Sequence, residues 1–118
     1  MKRILLADDQ PQVRSALRLL LEQEIRAQIV GEAETLEDLL SQRPAQNPEA
    51  ILLDWELPGL YPTAGLSQIR QAYPLAQIVA LSSRPEARQA ALQAGADVFV
   101  CKGDPPEPLL AALAHEVR

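Results

Sequence analysis

Five polar side chains in this sequence each follow a short apolar run. Asp8 and Asp9 come directly after Ile4–Ala7, Asp54 after Ala50–Leu53, Ser82 after Ile78–Leu81 and Lys102 after Val98–Cys101. If those runs are strands of one parallel sheet, groups far apart in the chain meet in the crevice at the carboxyl ends of the strands, where such sheets bind ligands. Three carboxylates gathered there repel one another. Hard oxygen donors of this kind suit Mg²⁺, which commonly takes one or two carboxylates, waters and a phosphate. The charges then balance, because three carboxylates face the Lys102 ammonium plus one divalent cation. Such a set supplies what phosphoryl transfer needs of a protein, namely positioning and charge neutralisation.

Taken singly, each residue has a plainer reading. A lone Asp after a strand usually caps a turn or a helix, and Asp8 can do so, although a double carboxylate is hard to explain that way. Ser82 can be an ordinary N-cap, with Ser83 competing for the hydroxyl role. Lys102 can be a surface lysine, which a position at a strand end argues against.

The positioning elements are legible in the periodicity. Ile4–Ala7 is apolar without alternation, the mark of a strand covered on both faces. Pro11 suits a helix first turn, and Val13, Ala16, Leu17, Leu20 and Leu21 follow at helical spacing. Ala27–Val30 reads as a second strand, with Gly31 as a break. Thr35 with Asp38 resembles a capping box opening a short helix with Leu36, Leu39 and Leu40 on one face. Ala45–Pro48 is a turn-rich connection to the third strand. After Asp54, a loop containing Pro58, Gly59, Pro62 and Gly65 leads to a helix with Leu66 and Ile69. Beyond Ser82, Pro85 opens a helix carrying Ala87, Ala90, Ala91 and Ala94 that Gly95 stops. Pro106 opens the last helix, where Leu109, Leu110, Leu113 and Val117 share a face. Strand then helix, five times over, implies a parallel sheet with helices on both faces.

The 118 residues suit one domain, spanning 1–118, and 47% hydrophobic residues suffice for a core built without many aromatics, which make up 3%. A formal charge of −5 repels nucleic acid, so no direct nucleic-acid binding is expected of this domain. A single cysteine excludes an internal disulfide and fits a cytoplasmic location. Cys101 itself reads as a buried small hydrophobe. The apolar run after Met1-Lys2-Arg3 is too short for a signal peptide, and no stretch approaches the ~20 apolar residues of a membrane span.

Ile4-Leu5-Leu6-Ala7-Asp8-Asp9-Gln10-Pro11 resembles the opening of response-regulator receiver domains of two-component signalling. Leu53-Asp54-Trp55-Glu56-Leu57-Pro58-Gly59 resembles their phosphoacceptor segment, and Ala94–Lys102 their fifth strand. The likeness covers essentially the whole chain. It implies a flavodoxin-like doubly wound (βα)5 fold with parallel strand order 2-1-3-4-5. It implies that Asp54 becomes an aspartyl phosphate, that Asp9 binds Mg²⁺ directly with Asp8 helping through water, and that the Glu56 backbone carbonyl is a further ligand. Lys102 then pairs with the phosphoryl oxygens, the Ser82 hydroxyl hydrogen-bonds one of them, and Phe99 matches the aromatic switch position, its plainer reading being simple core. Trp55 is expected to pack beside the site and His115 to lie exposed on the terminal helix.

There are three departures from the family pattern. The loop Gly59–Gly65 is longer, the segment after Ser82 is shorter, and Gly103 stands after Lys102 where many members have a cis proline; a non-proline cis bond costs ~3 kcal/mol and is not expected. These bear on the surface formed by the fourth helix and fifth strand.

The resemblance implies a switch rather than a turnover enzyme. A sensor histidine kinase donates, Asp54 accepts, and an altered surface acts on an output, with homodimerisation on phosphorylation possible. Val30-Gly31-Glu32-Ala33 and the Pro-rich start of the last helix look similar to the subgroup joined to helix-turn-helix output domains, absent from this chain. Two other classes compete. One is a non-phosphorylated interaction module on the same fold, which the intact constellation argues against. The other is a flavodoxin-like cofactor binder, which the missing Gly-rich loop after the first strand argues against. Glu56 and Arg84, two residues beyond Asp54 and Ser82, carry opposite charges. They either pair over the site or point apart into solvent.

Overall fold

A computed structural model describes residues 1–42, 47–60 and 62–114. Its order is β1 (Arg3–Ala7), α1 (Pro11–Ile25), β2 (Gln28–Ala33), α2 (Leu36–Ser41), β3 (Ala50–Asp54), α3 (Pro62–Ala72), β4 (Gln77–Ser82), a 3₁₀ turn (Pro85–Ala87), α4 (Arg88–Ala94), β5 (Val98–Cys101) and α5 (Glu107–Ala114). The strands form one sheet in order β2-β1-β3-β4-β5, every pairing parallel.

The uniformly apolar runs serve two cores. Leu5, Ala7, Ile51, Leu53, Ile78, Ala80 and Phe99 face one side, under Leu36, Leu39, Leu66, Ile69 and Ala91 of α2, α3 and α4. Ile4, Leu6, Ala50, Leu52, Val79, Leu81 and Val100 face the other, under Leu21, Leu109 and Leu113 of α1 and α5. Because alternate side chains point to opposite faces and both faces are covered, the interiors of β1, β3, β4 and β5 carry no polar side chain. Polar groups are therefore displaced to the strand ends. In register, Asp54 stands opposite Leu81 and Ser82 opposite Cys101, so the ends of β3, β4 and β5 lie side by side.

Local chemistry sets the boundaries. Pro11 occupies the first turn of α1, and the Thr35 hydroxyl accepts from Asp38 N–H at 3.0 Å to start α2. The Asp38 carboxylate returns a bond to Glu34 N–H at 3.1 Å, one residue earlier than in a strict capping box. Gly95 ends α4 with φ of 116°, a left-handed conformation that glycine adopts freely.

Several expectations are corrected. Gly31 does not break β2: Ile4 pairs with Ile29 and Leu5 with Gly31, so the ladder skips Val30 and the strand continues through a bulge. A Cβ at Gly31 would run into the Gln42 side chain, which donates to Glu32 O at 2.7 Å. Pro62 and Gly65 belong to α3 rather than to the preceding loop. Pro85 opens a 3₁₀ turn, and α4 proper is the seven residues that follow. Ala87, which ends the 3₁₀ turn, and Ala91 on α4 are buried, and Ala90 is exposed. Cys101 is half-buried, because β5 ends there beside a cleft of about 330 Å³ between α1 and the β5–α5 loop. Val13, Leu17 and Leu20 line the same cleft and are half-buried, while Ala16 is exposed. Ala45, His115 and Val117 lie outside the described residues.

Candidate functional site

The carboxyl ends of β1, β3, β4 and β5 bring the polar residues together. One carboxylate oxygen each from Asp8, Asp9 and Asp54 lies within 4.8 Å of the others. Asp8 and Asp54 are 2% and 3% exposed, whereas Asp9 faces solvent, so the cluster has a closed floor and an open mouth. Lys102 Nζ stands 2.8 Å from Asp8 Oδ2 and 3.4 Å from Asp54 Oδ1, bridging the two buried acids.

Backbone donors fix those acids. Asp8 Oδ1 accepts from Gln10 N–H at 2.9 Å, and Asp54 Oδ1 from Glu56 N–H at 3.0 Å. Leu57 N–H closes the turn after β3 on the Asp54 carbonyl at 3.0 Å. Asp8 does not cap α1, whose N-cap position is Gln10 with no side-chain bond. Burial raises the Asp54 pKa and the Asp8 charge adds to the effect; the Glu56 N–H and Lys102 oppose the rise without cancelling it. Burial pulls the Lys102 pKa down, but Asp8 and Asp54 together outweigh it and the net direction is up. One ammonium for three carboxylates leaves excess negative charge among oxygen-only donors. That is a fit for a hard divalent cation.

Ser82 is fully buried at the end of β4, whereas Ser83 is exposed. Ser82 Oγ donates to the Glu56 carboxylate at 3.0 Å and accepts from Arg84 N–H at 3.0 Å. Arg84 Nη2 lies 3.5 Å from Glu56 Oε2, so the opposite charges at these positions do pair. Trp55 is 7% exposed, packed in the core next to Asp54, as expected.

Phe99 has the place that its plainer reading, simple core, expects. It is already 4% exposed and sits in the core, with the Arg88 guanidinium 5.0 Å from its ring centre. An aromatic with no hydroxyl gains nothing from facing water, so burial is its resting preference.

Sequence reasoning missed Arg14. Its Nη1 donates to the Asp8 carbonyl at 2.6 Å, its Nε to Glu32 at 2.7 Å and its Nη2 to Glu34 at 3.5 Å. Only its place one helical turn after Gln10, near the acidic pair, hinted at a role. The acidic partners come from β2 and its exit, eighteen or more residues away, and no local pattern announces them.

The family model for the response regulator receiver domain matches residues 4–114. The chain belongs to that family. Among curated relatives of this receiver domain is the nitrate/nitrite response regulator protein NarL of Escherichia coli (strain K12). The two are 34% identical over 112 residues, covering 93% of the present chain and 52% of that protein. The receiver domain thus spans about half the length of that relative. A solved two-component response regulator of the LuxR family from Aurantimonas sp. SI85-9A1 superposes with a TM-score of 0.82 at 30% identity, covering 95% of this chain and 84% of that one. The isolated receiver domain of RcsB from Salmonella enterica serovar Typhimurium, solved with the phosphomimetic BeF3⁻, gives 0.82 at 27% identity, covering 96% and 86%. No helix among the described residues is long and apolar enough to cross a membrane.

Proposed function

We propose that this receiver domain is a phosphorylation-dependent switch in which Asp54 takes a phosphoryl group from the phosphohistidine of a sensor histidine kinase. An Asp54 carboxylate oxygen forms the new bond to phosphorus as the phosphorus–nitrogen bond breaks and the imidazole leaves. Mg²⁺, held by Asp8, Asp9, Asp54 and the Glu56 carbonyl, would neutralise the charge that gathers on the phosphoryl oxygens. Lys102 is already poised between Asp8 and Asp54 and needs only a small shift to pair with a phosphoryl oxygen on Asp54. Ser82 donates to another, which requires its hydroxyl to leave Glu56.

The observation that carries this reading is the placement of one ammonium across two buried carboxylates with a third carboxylate at the mouth. Treatment with acetyl phosphate and Mg²⁺, followed by mass analysis, tests it: the chain gains one phosphoryl group, and Asp54→Asn does not. A non-phosphorylated interaction module on the same fold predicts no gain in either.

The chain is then the receiver part of a longer cytoplasmic regulator. Its phosphorylation controls an output domain that acts on transcription, with homodimerisation of receivers as one route. The relatives named as response regulators, and the half-length match to NarL, support that extension.

A further inference from the structure

We infer that Arg14 is a positioning residue for the cation site, its guanidinium fixing the peptide that leads from Asp8 into Asp9. The inference rests on the Mg²⁺ reading proposed above.

The backbone of Asp8 is gripped at both ends. Its N–H donates to Ala33 O at 2.9 Å, and its carbonyl accepts from Arg14 Nη1 at 2.6 Å. The Asp8 carboxylate has holders of its own, Gln10 N–H and Lys102 Nζ. Asp9 has none: among the described residues its exposed carboxylate has no hydrogen-bond or ion-pair partner. Only the direction of its backbone keeps that carboxylate within reach of Asp8 and Asp54. Because a peptide unit is planar, clamping the Asp8 carbonyl also sets the Asp9 N–H and Cα. Arg14 therefore governs the ligand that nothing else holds.

Arg14 is itself built in. Its side chain is 13% exposed, and Glu32 and Glu34 on the β2 side orient the guanidinium plane. Glu32 is shared with Arg18, whose hydrogen bonds and ion pairs among the described residues go to Glu22 and Glu32 and not to Asp8. A rigid planar fork with several donors can hold three acceptors at once, which a lysine ammonium on a flexible stem cannot reproduce.

Removing a residue that orients a metal ligand typically weakens metal binding by ~10–100-fold. The test is titration with Mg²⁺ alone, read by the fluorescence of Trp55, the one tryptophan, and in parallel by the Mg²⁺-induced rise in melting temperature. In R14A the Mg²⁺ midpoint rises by ~10-fold or more. R18A, which strips the other guanidinium from Glu32, loses stability but keeps the original midpoint. Should R14A fail to fold, R14K is read the same way. An unchanged midpoint in the Arg14 variant, or an equal loss in R18A, overturns the inference while leaving the Mg²⁺ reading intact. An unsubstituted chain with no saturable response overturns both.

Discussion

Glu56 sits between two partners that pull on the same carboxylate, Ser82 and Arg84. The exposed pair with Arg84 is worth only ~0–1 kcal/mol of stability. Its kinetic weight is larger if it shields the line along which water must approach the aspartyl phosphate. Phosphorylated protein should then decay faster in Glu56→Asn and in Arg84→Ala, and the double variant should be little faster than either. Equal lifetimes in all four forms, or fully additive effects, would remove the shared lid. Asp54 yields a second expectation through its raised pKa. The folded state binds this proton more tightly than the unfolded chain, so stability falls as pH rises between the unfolded and folded pKa values. At neutral pH the ionised carboxylate costs stability, and Asp54→Asn should raise the melting temperature there. Lys102 keeps Asp8 as partner in that variant. The gain should vanish as pH drops below the unfolded carboxylate value of about 4. Thermal unfolding at neutral and acid pH checks this, and a gain that persisted in acid would contradict it.

Arg88 ties α4 to β5, lying over Phe99 and donating to its carbonyl at 3.5 Å. A cation over an aromatic face contributes ~0.5–1 kcal/mol at exposed sites. Arg88→Gln should speed amide exchange in residues 88–94 while leaving exchange in β1 and β3 untouched; uniform acceleration would mean that the contact serves the whole fold. How far these elements could be read from the chain depended on the range of the forces involved. β1, β3, β4 and β5 were legible because a strand covered on both faces is apolar at every position. Thr35 announced a helix start through a bond made three residues on, and Pro11 through its fixed φ and missing N–H, which suit a first turn. The bulge at Val30–Gly31 left no such trace, since it is a property of pairing with Ile4 and Leu5. Pro62 and Gly65 looked like loop residues, yet proline is at home in a first helical turn. The acidic cluster and Lys102 were legible as strand-end residues. Arg14 was not, because its partners are supplied by another strand. The burial of Phe99 was legible as simple core, but a buried ring and a switching ring have the same sequence.

For the molecule as a whole, a cation that binds only the folded chain is linked to folding. A ligand that binds only the native state stabilises it by about 1.4 kcal/mol per tenfold excess over its dissociation constant. Mg²⁺ should raise the melting temperature of the chain, and Asp9→Ala should lose most of that rise. An Asp9→Ala protein that responded as strongly as the original would clear Asp9 of its role. The hydrogen bond between Ser82 and Glu56 has a further consequence at this scale. The hydroxyl that a phosphoryl group would recruit is not idle in the resting chain, because it already serves an anion. Activation is then a substitution, one negative acceptor displaced by another, with a like number of hydrogen bonds before and after. Such an exchange would add little net hydrogen-bond energy of its own, so most of the bias between two conformations would have to come from other contacts. A receiver built in this way would be tipped by modest differences in how its partners grip each form, with the reach of the Glu56 side chain deciding whether the Ser82 hydroxyl stays held.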